Sequence, residues 1–388
     1  MPLDLGSLRS QSIAELIQTA RTCNIENASS LRKQDLVAAI LRESGSAPSD
    51  GSGVLEILPD GFGFLRAPEY SFLPGSDDVY VSPSQIRRFN LRTGDLVGGQ
   101  VRAPKENERY FALIKVESVN GEAPDAAREK ALFENLTPVW PRRRLTLADP
   151  SLGLLGLLAP LGYGQRAVVV GPPRSGRSEL IRRVAHAVAA AHPDAALFVV
   201  LVAERPEEVT DVERTVPGTV LATTFDEPDA RHVQVAEMAI ERGKRLVEHK
   251  RDVVVLFDSL DRFAAAAAAA GGSVNPGALD PSSLLRVRRV LGAARELEEG
   301  GSFTLFATVD AGGAVSRAVG DIATAEIRLD AELARTSPWP ALDLRGTTTL
   351  RADRLQTPAE AHLAARARAA GSLDAARALL DKQPAAGE

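Results

Sequence analysis

Between residues 151 and 356 the chain alternates unbroken apolar runs with stretches of helical period, and this alternation restricts its fold more than any other feature. The runs are AVVVG (167–171), ALFVVLVAE (196–204), TVLATTF (219–225), DVVVLFD (252–258) and SFTLFATV (302–309). A strand with one wet face alternates apolar and polar residues, whereas a strand covered on both faces does not. Residues 178–192 and 229–249 carry the period of amphipathic helices. The pattern predicts a parallel sheet with helices on both sides, an α/β domain over 151–356.

One run leads directly into Gly171-Pro-Pro-Arg174-Ser175-Gly176-Arg177-Ser178 and then into a helical pattern. This is the spacing of a phosphate-binding loop in its strand-to-helix context. Glycines let backbone N–H groups turn inward around phosphate oxygens, and the following helix adds its positive end. Ser178 is placed to hold Mg²⁺ through its hydroxyl. Arg177 stands where a lysine reaches the β and γ phosphates, and a planar guanidinium is not interchangeable with an ammonium there. Asp258 ends VVVLFD, where a parallel sheet offers a carboxylate to Mg²⁺. Glu204 ends VVLVAE, where a carboxylate can orient the water attacking a γ-phosphate. The competing readings are a ligand-free turn, a helix-capping Asp258 and a solvated charge cluster at 204–208. Their shared context favours phosphate binding.

Upstream the character changes. Residues 1–47 read as a helical module, with Ser12 capping a helix whose Ile13, Leu16 and Ile17 share a face, and a second helix over 31–42. The segment 44–53 (SGSAPSDGSG) is expected to be a flexible linker. Five short strand-like runs in 54–118 predict a small barrel of the oligonucleotide-binding type. Residues 119–150 form a connector, and 357–388 an Ala-rich helical tail expected to attach loosely.

Within the barrel, period two puts Phe62, Phe64 and Arg66 of DGFGFLR (60–66) on one face, with Gly61 and Gly63 leaving the rings open. Aromatic rings beside an arginine make a stacking platform for unpaired bases. Tyr80 and Tyr110 extend it, and Arg109 can meet phosphate. The alternative is that the rings fill the barrel core. Four of the chain's sixteen Phe and Tyr residues fall in this platform, which favours stacking. The net charge of −5 does not argue against it, because a groove can be basic on an acidic protein. The single cysteine, Cys23, cannot form an internal disulfide, so a reducing cytoplasm fits. No apolar stretch reaches the roughly 18–20 residues that span a bilayer, and the opening MPLDLGSLRSQS does not read as a secretory leader.

The chain resembles the Rho transcription termination factors over about residues 1–356. The resemblance is dense in DGFGFLR (60–66), DDVYVSPSQIRRFNLRTGD (77–95), ERYFAL (108–113), FENLTP (133–138), ERPEEVTD (204–211), TTFDEPDARHVQVAEM (223–238) and KRLVEHKRDVVVLFDS (244–259). It implies a multidomain protein: a small N-terminal helical module, an OB/cold-shock-like β-barrel, and a RecA-like α/β P-loop NTPase domain. It also implies a hexameric ring that binds C-rich single-stranded RNA, uses ATP with Mg²⁺, and acts on the RNA polymerase elongation complex in the cytoplasm, with no membrane partner. The RNA site it implies is Gly61, Phe62, Gly63, Phe64, Leu65, Arg66, Asp78, Val79, Tyr80, Glu108, Arg109 and Tyr110. The implied ATP site is Gly162, Tyr163, Gly164, Gln165, Arg166, Ala167, Gly171, Arg174, Ser175, Gly176, Arg177, Ser178, Glu179 and Arg205, with Trp339 where an aromatic stacks on adenine. The implied catalytic glutamate is Glu204, and Asp258 is the Mg²⁺-linked aspartate.

Several positions depart from the family pattern. Arg177 and Arg174 replace lysines of the loop, in a chain with seven lysines and thirty-nine arginines. The pore loops become the alanine run 264–270, read as a helix extension, with Ser273 near an expected lysine, and a shortened segment at about 309–325 holding Arg317. The neighbouring-subunit arginine finger falls on Thr348 or Leu350, with Arg351 nearest and Arg345 close by. Losing such a finger costs about 10³–10⁵ in rate. Two activities are therefore expected: an RNA-dependent ATPase and translocase, with Arg177 and Arg351 among its catalytic residues, or a hydrolysis-poor paralogue that regulates termination by co-assembly in a mixed ring or by competition.

Overall fold

The computed structural model describes residues 5–43, 49–105, 108–272, 279–336 and 339–381; Ser273 lies outside them. The chain divides into two compact units, Met1–Ala131 and Leu132–Glu388.

The first unit joins three α-helices (Leu5–Ser10, Ile13–Thr22 and Lys33–Glu43) to a closed five-stranded barrel. Its strands are β1 (Ser49–Ile57), β2 (Gly63–Arg66), β3 (Val79–Val81), β4 (Leu96–Arg102) and β5 (Phe111–Val119), in the order β1-β2-β3-β5-β4. Ser12 caps its helix as expected, in a reciprocal capping box with Glu15. Ile13 does not join the buried face: it is 53% exposed, while Leu16 and Ala20 carry the burial. The helices share one apolar core with the barrel residues Leu55, Leu65, Val79 and Val97. Arg9 crosses this core to Asp77 at 2.6 Å.

Residues 49–53, expected in a linker, are the first half of β1, paired from Ser49↔Val101 to Gly53↔Val97. The glycines there serve close packing. A Cβ on Gly51 would meet Val101 at 2.8 Å, and one on Gly53 would meet Leu65 at 2.8 Å.

The second unit is built on β6 (Pro138–Val139), β7 (Arg166–Gly171), β8 (Ala196–Glu204), β9 (Thr219–Thr224), β10 (Asp252–Asp258), β11 (Arg295–Leu297), β12 (Ser302–Asp310), β13 (Ala325–Arg328) and β14 (Thr348–Thr349). The sheet order is β14-β13-β7-β12-β10-β8-β9, parallel from β13 to β9. The five apolar runs are β7, β8, β10 and β12, which lie inside the sheet, and β9 at its edge. Val253 to Phe257 and Phe303 to Val309 carry only buried side chains, which is why no alternation shows in the sequence. This order sets the carboxyl ends of β7, β12, β10 and β8 side by side, the edge at which parallel sheets receive ligands. The alanine run forms the end of the helix Leu260–Ala270.

The tail is not loose over its described part. Helices Pro358–Ala369 and Leu373–Asp381 bury Leu363, Ala364, Ala367, Leu373 and Ala376 in the core of this unit. Alanines hid this, because a small residue gives little amphipathic contrast even when wholly buried.

Candidate nucleic-acid interface and nucleotide site

In the barrel, β2 pairs with both β1 and β3, so Phe64 lies opposite Glu56 on one side and Tyr80 on the other. Leu65 points the other way and is fully buried. The rings gather on the outer face. Phe62 lies 5.8 Å from Phe64 and 5.6 Å from Tyr80, and Phe64 lies 4.7 Å from Tyr110 in edge-to-face geometry. Phe64 is only 7% exposed because the other rings and Arg66 cover it. The faces left to solvent are those of Phe62, Tyr80 and Tyr110.

Arg66 is not a free cation for phosphate. It is 4% exposed, lies 4.9 Å over the Phe64 ring, and pairs with Glu56 at 2.7 Å and with Asp78. Two carboxylates already satisfy its fork, so it fixes Phe64 and Asp78 in place. Burial pushes the Asp78 carboxyl up to about 6, against the pull of Arg66. Val79 is wholly buried in the barrel wall.

Beside the rings runs a groove of about 650 Å³, lined by Tyr80, Gln85, Arg102, Glu108, Arg109 and Tyr110 among others. Glu108 takes two bonds from Arg102, at 2.5 and 2.9 Å, and this pairing holds its carboxyl down at about 2. Arg109 covers the Tyr110 ring at 5.4 Å and is exposed. A carboxylate accepts from cytosine N4 and an arginine donates to base carbonyls, so this wall suits a pyrimidine edge. Arg102 and Gln85 were not singled out from sequence. The signal for Arg102 lay in the barrel register, which sets it on β4 opposite Ala112 on β5; Gln85 lies on the helix Pro83–Arg88 and had none.

In the second unit the phosphate loop leaves the end of β7. Arg174 and Gly176 take left-handed conformations (φ +66° and +90°), and Gly176 opens the helix Arg177–Ala191. A Cβ on Gly176 would stand 3.1 Å from the Trp339 indole nitrogen, so Trp339 packs directly on the loop. Ser178 donates to Asp258 at 3.0 Å, and Thr308 donates to its other oxygen at 2.8 Å. Glu204 is re-aimed by a register shift near the end of β8, with Ala203 at φ +48°. Arg262 joins the two acids, bonding Glu204 at 2.6 Å and lying 3.5 Å from Asp258. Burial alone would raise the Glu204 carboxyl, but the Arg262 bond, the Arg205 backbone N–H and both charges hold it below the usual range. Such a group stays ionised and acts by orienting water more than by basicity.

A small cavity of about 10 Å³ reaches Ser178, Glu204 and Asp258 at its polar end, while Ile181, Ala185, Val199, Leu201, Val212 and Val216 make most of the rest of its wall apolar. No cluster of three ligating side chains forms among the described residues. Ser175 is buried with an unpaired hydroxyl, and Glu179 bonds Arg183 at 3.1 Å.

Two groups of expected residues lie elsewhere. Gly162 to Arg166 stand at the start of β7, roughly 17 Å of strand from the loop at its other end. There Gly164 (φ +84°) lies against the Glu296 backbone, Tyr163 bonds His192 at 2.8 Å, and Gln165 bonds Thr324 at 2.8 Å. Within this chain they support the sheet, as does the fully buried Ala167. Arg351 pairs with Asp353 at 3.1 Å, and Leu350 beside it is 54% exposed. Arg262 and Asp310 were missed from sequence. Asp310 ends an apolar strand as Asp258 does, but the run was read as closing at Val309.

A phosphate loop on a RecA-like sheet, together with a ring-faced OB-like barrel, defines a P-loop nucleotide-binding protein with a single-strand nucleic-acid module. The chain matches "Rho termination factor, N-terminal domain" over 7–45, "Rho termination factor, RNA-binding domain" over 51–125, and "ATP synthase alpha/beta family, nucleotide-binding domain" over 152–348. It is 47% identical over 371 residues to transcription termination factor Rho of Chromobacterium violaceum, covering 91% of this chain and 89% of that protein. It is 46% identical over 376 residues to that of Escherichia coli, covering 92% and 90%. The chain belongs to the Rho transcription termination factor family. A solved ATPase of a bacterial type III secretion system shares the fold (TM-score 0.53, 24% identity, 60% of this chain and 69% of that one). No helix among the described residues is long and apolar enough to cross a membrane.

Proposed function

We propose that this Rho-family chain binds C-rich single-stranded RNA on the barrel and ATP with Mg²⁺ at 171–178, and uses RNA-dependent ATP hydrolysis to release transcripts from the RNA polymerase elongation complex in the cytoplasm. The observation that carries this reading is the row of strand ends beside the loop, where Ser178 donates to Asp258 and Arg262 links Asp258 to Glu204. Ser178 and Asp258 would hold Mg²⁺, which would supply positive charge to the bound nucleotide. Glu204 orients the attacking water, and Arg177 contacts phosphate. The working form is a hexameric ring, with Arg351 or Arg345 acting across the subunit boundary.

A second reading is favoured by two specific observations. Arg177 is engaged by Asp310 at 2.5 Å, and the finger position holds Leu350 or Thr348. In that reading the protein binds RNA and ATP but hydrolyses poorly, and it tunes termination in mixed rings or by competing for transcripts.

Phosphate release with and without poly(C) separates the two. Stimulated turnover that disappears in Glu204→Ala supports the translocase. Absent turnover with intact RNA binding supports the regulator.

A further inference from the structure

One charged contact beside the phosphate loop is not used by the first of the two readings above. Nη1 of Arg177 lies 2.5 Å from Oδ1 of Asp310. The backbone fixes this placement. β12 runs parallel beside β7 with Asp310 opposite Gly171, the first loop residue, and the Ala311 N–H donates to the Gly171 carbonyl at 3.3 Å. The Asp310 N–H donates to Asp261 at 2.7 Å, which anchors the strand end. The backbone of Asp310 is therefore held at the lip of the loop.

The two partners differ in what they can do. The Arg177 side chain is mostly covered and the Asp310 side chain is about half exposed. The carboxylate can withdraw into water at little cost, whereas the guanidinium stays in the site. Nη1 of Arg177 makes no aligned hydrogen bond among the described residues, so charge alone holds the contact. A terminal phosphate carries more charge than a carboxylate and accepts a guanidinium in bidentate fashion. It outcompetes Asp310 only after the ion pair has been broken.

We propose that Asp310 is a positioning residue that competes with nucleotide phosphate for Arg177. It draws Arg177 aside when the site is empty and lowers the affinity for nucleoside triphosphate. The inference rests on the reading that a nucleotide occupies 171–178.

The test is a double-mutant cycle on the full chain, titrated with a non-hydrolysable ATP analogue and with ADP in Mg²⁺. The four chains are the unmodified protein, Asp310→Asn, Arg177→Ala and the double variant. Asp310→Asn keeps the backbone bond to Asp261, and Asp310→Ser serves as a second variant. We expect Asp310→Asn to tighten the triphosphate analogue about tenfold, with a smaller gain for ADP and none in the Arg177→Ala background. Unchanged or weaker triphosphate binding in both Asp310 variants overturns the proposal. So does an equal gain without Arg177, which would mark a diffuse field effect. Absence of nucleotide binding in every chain overturns the nucleotide-site reading itself, and the competition with it.

Discussion

Replacing Phe62 by Ala removes the ring that caps the platform, and the structure gives the size of the effect. Phe62 touches Phe64 and Tyr80 only by ring contacts, at 5.8 and 5.6 Å, and lies outside the barrel core. Folding therefore loses little. A base stacked on such a ring contributes about 1–3 kcal/mol. The expected loss in affinity for oligo(C) is thus about five- to 150-fold. No charge is removed, so the slope of log K against log salt stays unchanged. Arg109→Ala makes the contrast. It removes one exposed cation, and for a single strand the slope falls by about 0.7. Fluorescence anisotropy across a salt series reads both quantities. Undiminished affinity in Phe62→Ala, or a lost affinity that tracks salt, refutes the stacking argument.

Other consequences follow from single contacts. Lys130 and Asp95 form a pair, 3% and 0% exposed, at 2.6 Å; Lys130→Met strands a buried carboxylate and is expected to cost about 3–5 kcal/mol in denaturant unfolding. Gly164→Ala puts a Cβ 2.0 Å from the Glu296 nitrogen at φ +84°, so thermal unfolding should shift down by several degrees or more. Burial and the nearby Asp310 charge push Asp261 up to about 6. A raised acid favours the fold when protonated, so this stabilisation is complete below the unfolded value of about 4 and is lost as pH rises through 6. Asp78 is raised to about 6 as well, so urea titrations at pH 4–7 should show a decline from which Asp261→Asn removes a part on the order of 2 kcal/mol.

The parallel sheet could be read from sequence because its central strands are buried on both faces, and their apolar runs match β8 and β10 residue for residue. The phosphate loop and the ring-bearing strand were legible for a related reason: each function needs particular residue types within one short segment. What escaped was pairwise and distant. The pairing of Arg66 with Glu56 and Asp78 was hidden because these partners are distant in sequence. The glycines at 51 and 53 read as flexibility, since nothing local shows Val101 and Leu65 pressing on them. The Gly162–Arg166 stretch is close to the loop in sequence, yet a strand separates them in space. Arg262 and Asp310 gain meaning only when four strand ends are set in order.

In the proposed function the end of β7 is a nucleotide site in which Ser178 and Asp258 would recruit Mg²⁺. Titration of the full chain with a fluorescent ATP analogue, with and without Mg²⁺, tests it most directly in the unmodified protein and in Ser178→Ala. The account predicts saturable binding of one nucleotide per chain, strengthened by Mg²⁺, with that strengthening abolished by the substitution. Binding that ignores both the cation and Ser178, or no saturable binding at all, contradicts it.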